Sequence, residues 1–559
     1  MRFFLNFFSG QGKKRHDFFG EALTPVEEIA EIAAEKTVPG GTMLSQSGMI
    51  TLWIGIVAYV GVLIGIGFWS SRKVKGMNDF LVAGRRLPLW MATATLLATW
   101  FGAGSSMGVA ATVYSDGIGG VLADPFGASI SLVLAGIFIV GLLRRLKCLT
   151  VTDIVERKYG KWAGVYTSLW MIPVYIGWLG AQMLGIGTIL HILTGMDAIW
   201  GTLIGAAVVL IYTFAGGMWA VTLTDVVQVS LIVIGLFVIV PGAVFEAGGW
   251  SEMTSRLSAA DLSIGMRHAL DPATGEPVPF VFSDYIYYIG SWIVMGLGCM
   301  VGQDLIQRSL ASRNEKIAVS SAVMSGFFYA AIGLVPITIG FAARTVLTNH
   351  GITPESMGVD NLENQVLPRM AIIILGNIHP IVLTVFLAAL ISAIMSSADS
   401  SLLAGSSLLC NNVIGSIWPR LSDQKLLVLT RVATVALTFI ALLLAISVKS
   451  IYSLMINSWA SQLVVIFIPV VTALYVPKAS KNAAWAAMAV STGVWLAYVF
   501  VDSSGTGLSF TELMNTDLDR SLTVGAVYGF AAGVVAFICC YLGERVPHWV
   551  LDQPDEEDE

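Results

Sequence analysis

The chain has 559 residues, 56% of them hydrophobic and 12% charged, with a mean hydropathy of +0.77. That balance excludes a soluble globular domain. Apolar runs of roughly 18 to 25 residues, the length of helix that crosses about 30 Å of hydrocarbon, recur along nearly the whole chain, so the expected class is an all-α polytopic membrane protein. The net charge of −6 matters less than where the charges lie. Six scattered histidines, with neither a nucleophile and its base nor a metal constellation, argue against an enzyme. The five cysteines have no metal-ligand or secreted-disulfide spacing and read as packing residues.

Residues 1–47 read as a polar tail. "GKKRHDFF" and "TPVEEIAEIAAEK" precede the first apolar run, which is therefore not a cleavable signal peptide. Within the tail, Thr24, Pro25 and Glu27 begin a short helix that ends near Lys36. Breaks in charge, Gly and Pro then predict thirteen helices, at about 49–70, 88–112, 118–143, 162–192, 198–215, 219–243, 283–302, 316–343, 371–410, 426–447, 450–475, 483–501 and 521–542. The 371–410 stretch is too long for one straight span. The chain divides into a peripheral first helix with its loop (48–87), a ten-helix core (88–476), two C-terminal helices (477–543) and an acidic tail (544–559).

One set of alternate loops holds nineteen Lys and Arg, including Arg72, Arg144 and Arg308, and the other holds six. The positive-inside rule then puts the N-terminus outside and the C-terminus in the cytoplasm. Ten core helices form two sets of five, and an odd-numbered repeat returns to the membrane inverted.

Polar groups interrupt three of these helices. In the helix holding "IMSSADSSLLAGSS" (394–407), the preceding Ala393 with Ser396, Ser397 and Ser400 is spaced i, i+3, i+4, i+7 on one helix face, with Asp399 beside them. They read either as small residues packing helices closely or as hard-cation ligands, and the intramembrane Asp favours the second. In "LLATWFGAGSSMG" (96–108), the glycines form either a packing notch or a break that frees the carbonyls of Ala98 and Phe101. In "TFAGGMWAVTLTDVVQ" (213–228), Asp225 reads either as a helix start near the interface or as a second cation site or exit gate.

"YTFAGGMWA" (Tyr212 to Ala220) resembles the signature of the sodium:solute symporter family, and "DFLVAGRRL" (Asp79 to Leu87) resembles that family's loop before its first core helix. "ATWFGAG", "GGMWAVTLTDVVQ" and "MSSADSSLL" look like the high-affinity choline transporter branch. The resemblance implies a LeuT-type fold with inverted five-helix repeats whose first and sixth core helices are broken. It also implies sodium-coupled symport of a small organic solute across the cell (inner) membrane. Carried over by position, it implies a main sodium site at the carbonyls of Ala98, Phe101 and Ala393 with the hydroxyls of Ser396 and Ser397. A second cation site would use Asp225, Ser396, Asp399 and Ser400, taking either sodium or a proton.

For a quaternary ammonium solute such as choline, Trp100 and Trp178, near Gln182, are candidate walls and contacts. Where the choline branch has an aromatic before its "QR" pair, this chain has Gly302, Gln303 and Asp304. Asp304 either counters a cationic solute or faces the cytoplasm and pairs with Arg308. Tyr285, Tyr287, Tyr288 and Trp292 read as an interfacial belt or a vestibule lining. The expected partners are a small-molecule solute, sodium and the lipid bilayer, with no nucleic acid. The competing functions are a membrane sensor that binds solute without moving it and a symporter for an unrelated solute.

Overall fold

The computed structural model describes residues 46–266, 278–353, 362–376, 380–447, 451, 459–504 and 518–544. The expected N-terminal tail and its short helix, and nearly all of the acidic C-terminal tail, lie outside them. The described residues are almost wholly helical. Among the described residues ten helices are long and apolar enough to cross a membrane, and Leu89–Trp100 (α2) with Gly104–Asp116 (α3) makes an eleventh span, bent by 63°. The expected spans 198–215 and 450–475 appear as shorter apolar helices, Ala198–Phe214 and Trp459–Tyr475. The expected thirteen is reached only when these are included.

Helix α1 (Gln46–Ser71) precedes the core. The first five core spans are α2/α3, α4 (Ile118–Arg145), α5 (Lys161–Thr194), α6 (Ala198–Phe214) and α7 (Gly216–Glu246). The second five begin with another broken span, α8 (Phe282–Gly296) and α9 (Gln303–Ala311). They continue through α10 (Glu315–Asn349), then α11 (Leu362–Gly376), which belongs to the connection, then α12 (Pro380–Ser407), α13 (Asp423–Ser447) and α14 (Trp459–Tyr475). Each set thus opens with a discontinuous helix. Two further helices, α15 (Lys481–Ser504) and α16 (Leu518–Gly543), close the chain.

Local chemistry explains several boundaries. Asp197 accepts a hydrogen bond from Ile199 N at 2.9 Å and starts α6, and Asn314 does the same for Ile317 N at 2.9 Å and starts α10. The expected 371–410 helix is instead two helices, because Pro380 is a helix-starting residue that cannot donate into a preceding turn. The loop entering α2 and the end of α9 are joined backbone to backbone, Leu87 N to Ala311 O at 3.0 Å and Arg313 N to Leu87 O at 2.9 Å. This bridge ties the two broken spans together.

Two motifs far apart in sequence touch. Between α6 and α7 the chain bends at Gly217, with φ 53° and ψ −144°. A Cβ there would lie 2.5 Å from the Phe80 ring and 2.7 Å from its carbonyl. The bend therefore needs glycine both for its backbone angle and for the approach of the Asp79–Leu87 loop. Helix α1, expected to be peripheral, packs on α7 and α12 and inserts the buried Tyr59, whose hydroxyl donates to Ser392 Oγ at 2.7 Å.

Gly217→Ala is expected to reduce the yield of monodisperse protein and lower its thermal midpoint. Gly493→Ala, where an added Cβ meets nothing within 4 Å, should leave both unchanged. Size-exclusion chromatography and a melting curve compare the two, and equal behaviour would remove the steric requirement at Gly217.

Candidate functional site: a buried polar stack beside an aromatic cavity

Helix α12 is apolar overall, but Ser392, Ser396, Ser397, Asp399, Ser400 and Ser401 along it are all buried. In hydrocarbon each polar group must find a partner within the protein. Ser401 and Ser400 return hydrogen bonds to the carbonyls one turn earlier, at 2.7 Å to Ser397 O and 2.5 Å to Ser396 O. Ser396 and Ser397 instead reach other helices. Ser396 Oγ donates to Asp225 Oδ1 on α7 at 2.5 Å, and Ser397 Oγ donates to Thr99 O on α2 at 2.7 Å.

The Thr99 carbonyl is available because α2 stops there. Gly102 N, which a continued helix would give to Ala98 O, bonds Trp100 O at 3.2 Å, and Ala103 N, which would go to Thr99 O, bonds Gln182 Oε1 at 2.8 Å. A Cβ on Gly102 would lie 2.3 Å from Ser397 Oγ and 2.6 Å from Gln182 Oε1. This glycine therefore lets α2, α5 and α12 meet. Phe101, at φ −89° and ψ 80°, is the turning point.

Asp225 is fully buried well inside α7, not at a helix start. It also accepts from Thr95 Oγ1 of α2. Asp399 Oδ2 accepts from Tyr212 at 2.8 Å, and Asp399 Oδ1 from Ser400 at 3.1 Å. Thr99 Oγ1 lies 3.1 Å from Ser400 Oγ. Arg308, expected among the loop charges, has no exposed surface; its Nη2 donates to Ser400 Oγ and its Nη1 to Asp304 O at 3.1 Å. Two carboxylates and one guanidinium are thus gathered among hydroxyls and a freed carbonyl, leaving one negative charge over when both acids are ionised. Such an oxygen-rich arrangement suits a hard monovalent cation.

One residue beyond Thr99, the chain enters a second environment. Trp100, Trp178, Trp459, Met295, Cys299, Asp304 and Gln462 line a nearly closed cavity of about 10 Å³, room for about one water. Asp304 does not face the cytoplasm or pair its carboxylate with Arg308. It is buried, accepting from Trp100 Nε1 at 2.6 Å and from the Tyr175 hydroxyl at 3.0 Å. Trp178 and Trp459 meet edge to face, with centroids 6.3 Å apart. A larger cavity lined by Tyr287, Tyr288, Asp116 and Arg520 shares Trp459 and Met295 with it, so Tyr287 and Tyr288 line a vestibule.

The structure brings Ser396, Ser397, Asp225, Asp399 and Ser400 into one network and puts Trp100 and Trp178 on one cavity. Ala98 and Ala393 are buried near the α2 break and on the α12 face. Gln182 supports the break, and its Nε2 has no partner among the described residues. Sequence reasoning missed Thr95, Thr99, Tyr175, Tyr212 and Trp459, and placed Arg308 in a loop. Only Arg308, an ionisable group four residues after a buried Asp, carried a usable signal.

A model of the sodium:solute symporter family matches residues 80–491. The chain belongs to the sodium:solute symporter family. It is 28% identical to the high-affinity choline transporter 1 of Caenorhabditis elegans over 465 residues, 78% of this chain and 76% of that protein. With the human high-affinity choline transporter 1 it shares 28% identity over 76% of this chain and 72% of that one. With the sodium/glucose cotransporter of Vibrio parahaemolyticus it shares 27% over 69% and 73%. The fold matches that of a Na+-coupled sialic acid symporter in a substrate-bound outward-open state, with a TM-score of 0.69 and 18% identity over 88% of this chain and 97% of that one. This symporter therefore has the LeuT-type fold and moves a solute with sodium, and it is not an enzyme.

Arg308→Gln is expected to lower the thermal midpoint strongly, because stranding a buried charge partner costs on the order of 3–5 kcal/mol. Adding Asp399→Asn should recover part of the loss. Melting curves of the single and double variants decide it, and a double variant no more stable than Arg308→Gln would deny that the two charges are coupled.

Proposed function

We propose that this symporter uses sodium to import a cationic organic solute, choline or a related quaternary ammonium, across the cell membrane, with its N-terminus outside and its C-terminus in the cytoplasm. One observation carries this reading. Adjacent residues of the broken α2 serve the two environments: the Thr99 carbonyl meets Ser397 in the polar stack, and the Trp100 indole meets Asp304 in the aromatic cavity.

Sodium is the first substrate. The Ser396 and Ser397 hydroxyls, with carbonyls freed at the α2 break and on α12, offer oxygens that replace its hydration shell. Asp225, with Ser396, Asp399 and Ser400, offers a second position. A cation between α2 and α12 supplies the missing positive charge and favours the conformation in which the two helices abut. That conformation also holds Trp100 against the solute cavity. The ion's preference for one conformation is then the coupling free energy.

For the solute, three tryptophans present π faces and Asp304 supplies a negative charge. A desolvated ammonium gains about 2 kcal/mol from such a face. Trp459 from α14 and Asp304 from α9 stand in for the aromatic that Gly302 does not provide. The choline transporters among the relatives support the same class.

Purified protein in liposomes should take up labelled choline when an inward sodium gradient is imposed and not without it. Ser397→Ala should raise the sodium concentration needed for half-maximal uptake. Trp459→Ala should weaken apparent choline affinity about tenfold, equivalent to ~1.4 kcal/mol, while leaving the sodium dependence in place. Sodium-driven uptake of another solute but not choline would discard the solute class and keep the coupling. Unchanged sodium dependence in Ser397→Ala would remove that hydroxyl from the ion site.

A further inference from the structure

Gln462 on α14 carries a polar group that none of the interactions above uses. The residue is 1% exposed and lines the small cavity with Trp100, Trp178, Trp459 and Asp304. Its Oε1 is buried and has no hydrogen-bond partner among the described residues. A carboxamide oxygen offers two lone pairs, and leaving such an acceptor unmade inside a protein is costly, so an orphaned one points to a partner that arrives from outside.

A glycine shows where that oxygen faces. Gly302 lies in the break between α8 and α9 at φ −62° and ψ 131°, angles that any residue adopts, so its backbone does not demand glycine. Its missing side chain does matter. A Cβ at Gly302 would lie 2.9 Å from Asp304 Oδ1 and 3.4 Å from Gln462 Oε1. Two acceptor oxygens therefore flank a notch that a side chain would fill. They differ in what they already hold: Asp304 accepts from Trp100 Nε1 through Oδ2 and from the Tyr175 hydroxyl through Oδ1, whereas Gln462 Oε1 accepts nothing. Neither an ionised carboxylate nor an amide oxygen donates, so a group entering the notch must bring the proton itself. A hydroxyl or an N–H does so, a methyl leaves Gln462 unpaired, and a carboxylate meets two acceptors at once. The cavity has room for about one water, and a hydroxyl is of that size, so only the bulkier cationic end of a solute needs the tryptophan walls to part.

We infer that Gln462 selects the solute: its Oε1, across the Gly302 notch from Asp304, accepts a hydrogen bond from a donor group carried close to the solute's cationic centre. This inference rests on the cationic-solute reading above and narrows it. The class becomes cations bearing a hydroxyl or an N–H, of which choline is one, in preference to fully alkylated cations and to zwitterions that end in a carboxylate. Gln462 bonds no member of the polar stack around Asp225 and Asp399, so sodium dependence is a separate readout.

Three trimethylammonium compounds of similar size test it on the purified full-length protein in sodium, each titrated against the thermal midpoint to give a dissociation constant. They are choline; propyltrimethylammonium, in which a methyl replaces the hydroxyl; and glycine betaine, in which a carboxylate replaces the hydroxymethyl group. Choline is expected to bind about tenfold more tightly than the methyl isostere, which leaves the buried acceptor unpaired. Betaine should bind most weakly. Gln462→Leu keeps the bulk and removes the acceptor, so it should bring choline and its isostere to within about twofold while the sodium concentration that half-saturates the stabilisation stays unchanged. Equal affinity of the native protein for choline and the isostere overturns the inference and keeps the cationic-solute reading. So does an undiminished preference in Gln462→Leu. Betaine bound more tightly than choline means that the amide turns its NH2 to the notch, which overturns it as well. If none of the three raises the midpoint, the cationic-solute reading itself fails and the inference falls with it. The comparison on native protein needs no variant, so it decides the matter even if Gln462→Leu does not fold.

Discussion

A broken helix in hydrocarbon releases backbone groups that water cannot reach, and the core of this symporter is organised around satisfying them. At the α2 break the amide of Ala103 goes to Gln182 on α5, the carbonyl of Thr99 goes to Ser397 on α12, and the carbonyl of Trp100 goes to Ser105 and Tyr329. Three helices distant in sequence are thereby pinned to one point. The glycine at position 102 makes the approach sterically possible.

Charge is distributed around the same point. Asp225 on α7 and Asp399 on α12 are brought together by hydroxyls from α2, α6 and α12, and Arg308 from the second broken span enters between the polar stack and the aromatic cavity. Buried charge is expensive and persists only where partners surround it. Asp225 and Asp399 each accept from both five-helix sets, whereas Arg308 bonds within the second, so a relative shift of the sets alters the environment of both carboxylates at once.

Much of the site is legible in the amino-acid sequence, for a definite reason. Helical periodicity alone places Ser396, Ser397 and Ser400 on one face, and hydrophobic length alone makes Asp399 an intramembrane residue. The "GAG" that follows α2 reads by itself as either a packing notch or a break, and it is the resemblance that implies the break. The resemblance then attaches sodium symport to those residues, and the family match agrees. Hydrophobic length is less informative at 371–410, where Pro380 divides the run, and at Asp225, which lies well inside α7 although its flanking glycines suggest a helix start.

By itself the sequence determined the membrane class, the all-helical architecture and the polar face of α12. These are properties of spacing and transfer free energy, which are local. Tertiary structure alone decided that Thr99 presents the carbonyl bonded to Ser397, that Tyr212 reaches Asp399, that Arg308 is buried, and that Trp459 closes on Trp178. Each joins residues tens to hundreds of positions apart. No local periodicity encodes such pairings; they follow from how packed helices satisfy one another's buried polar groups.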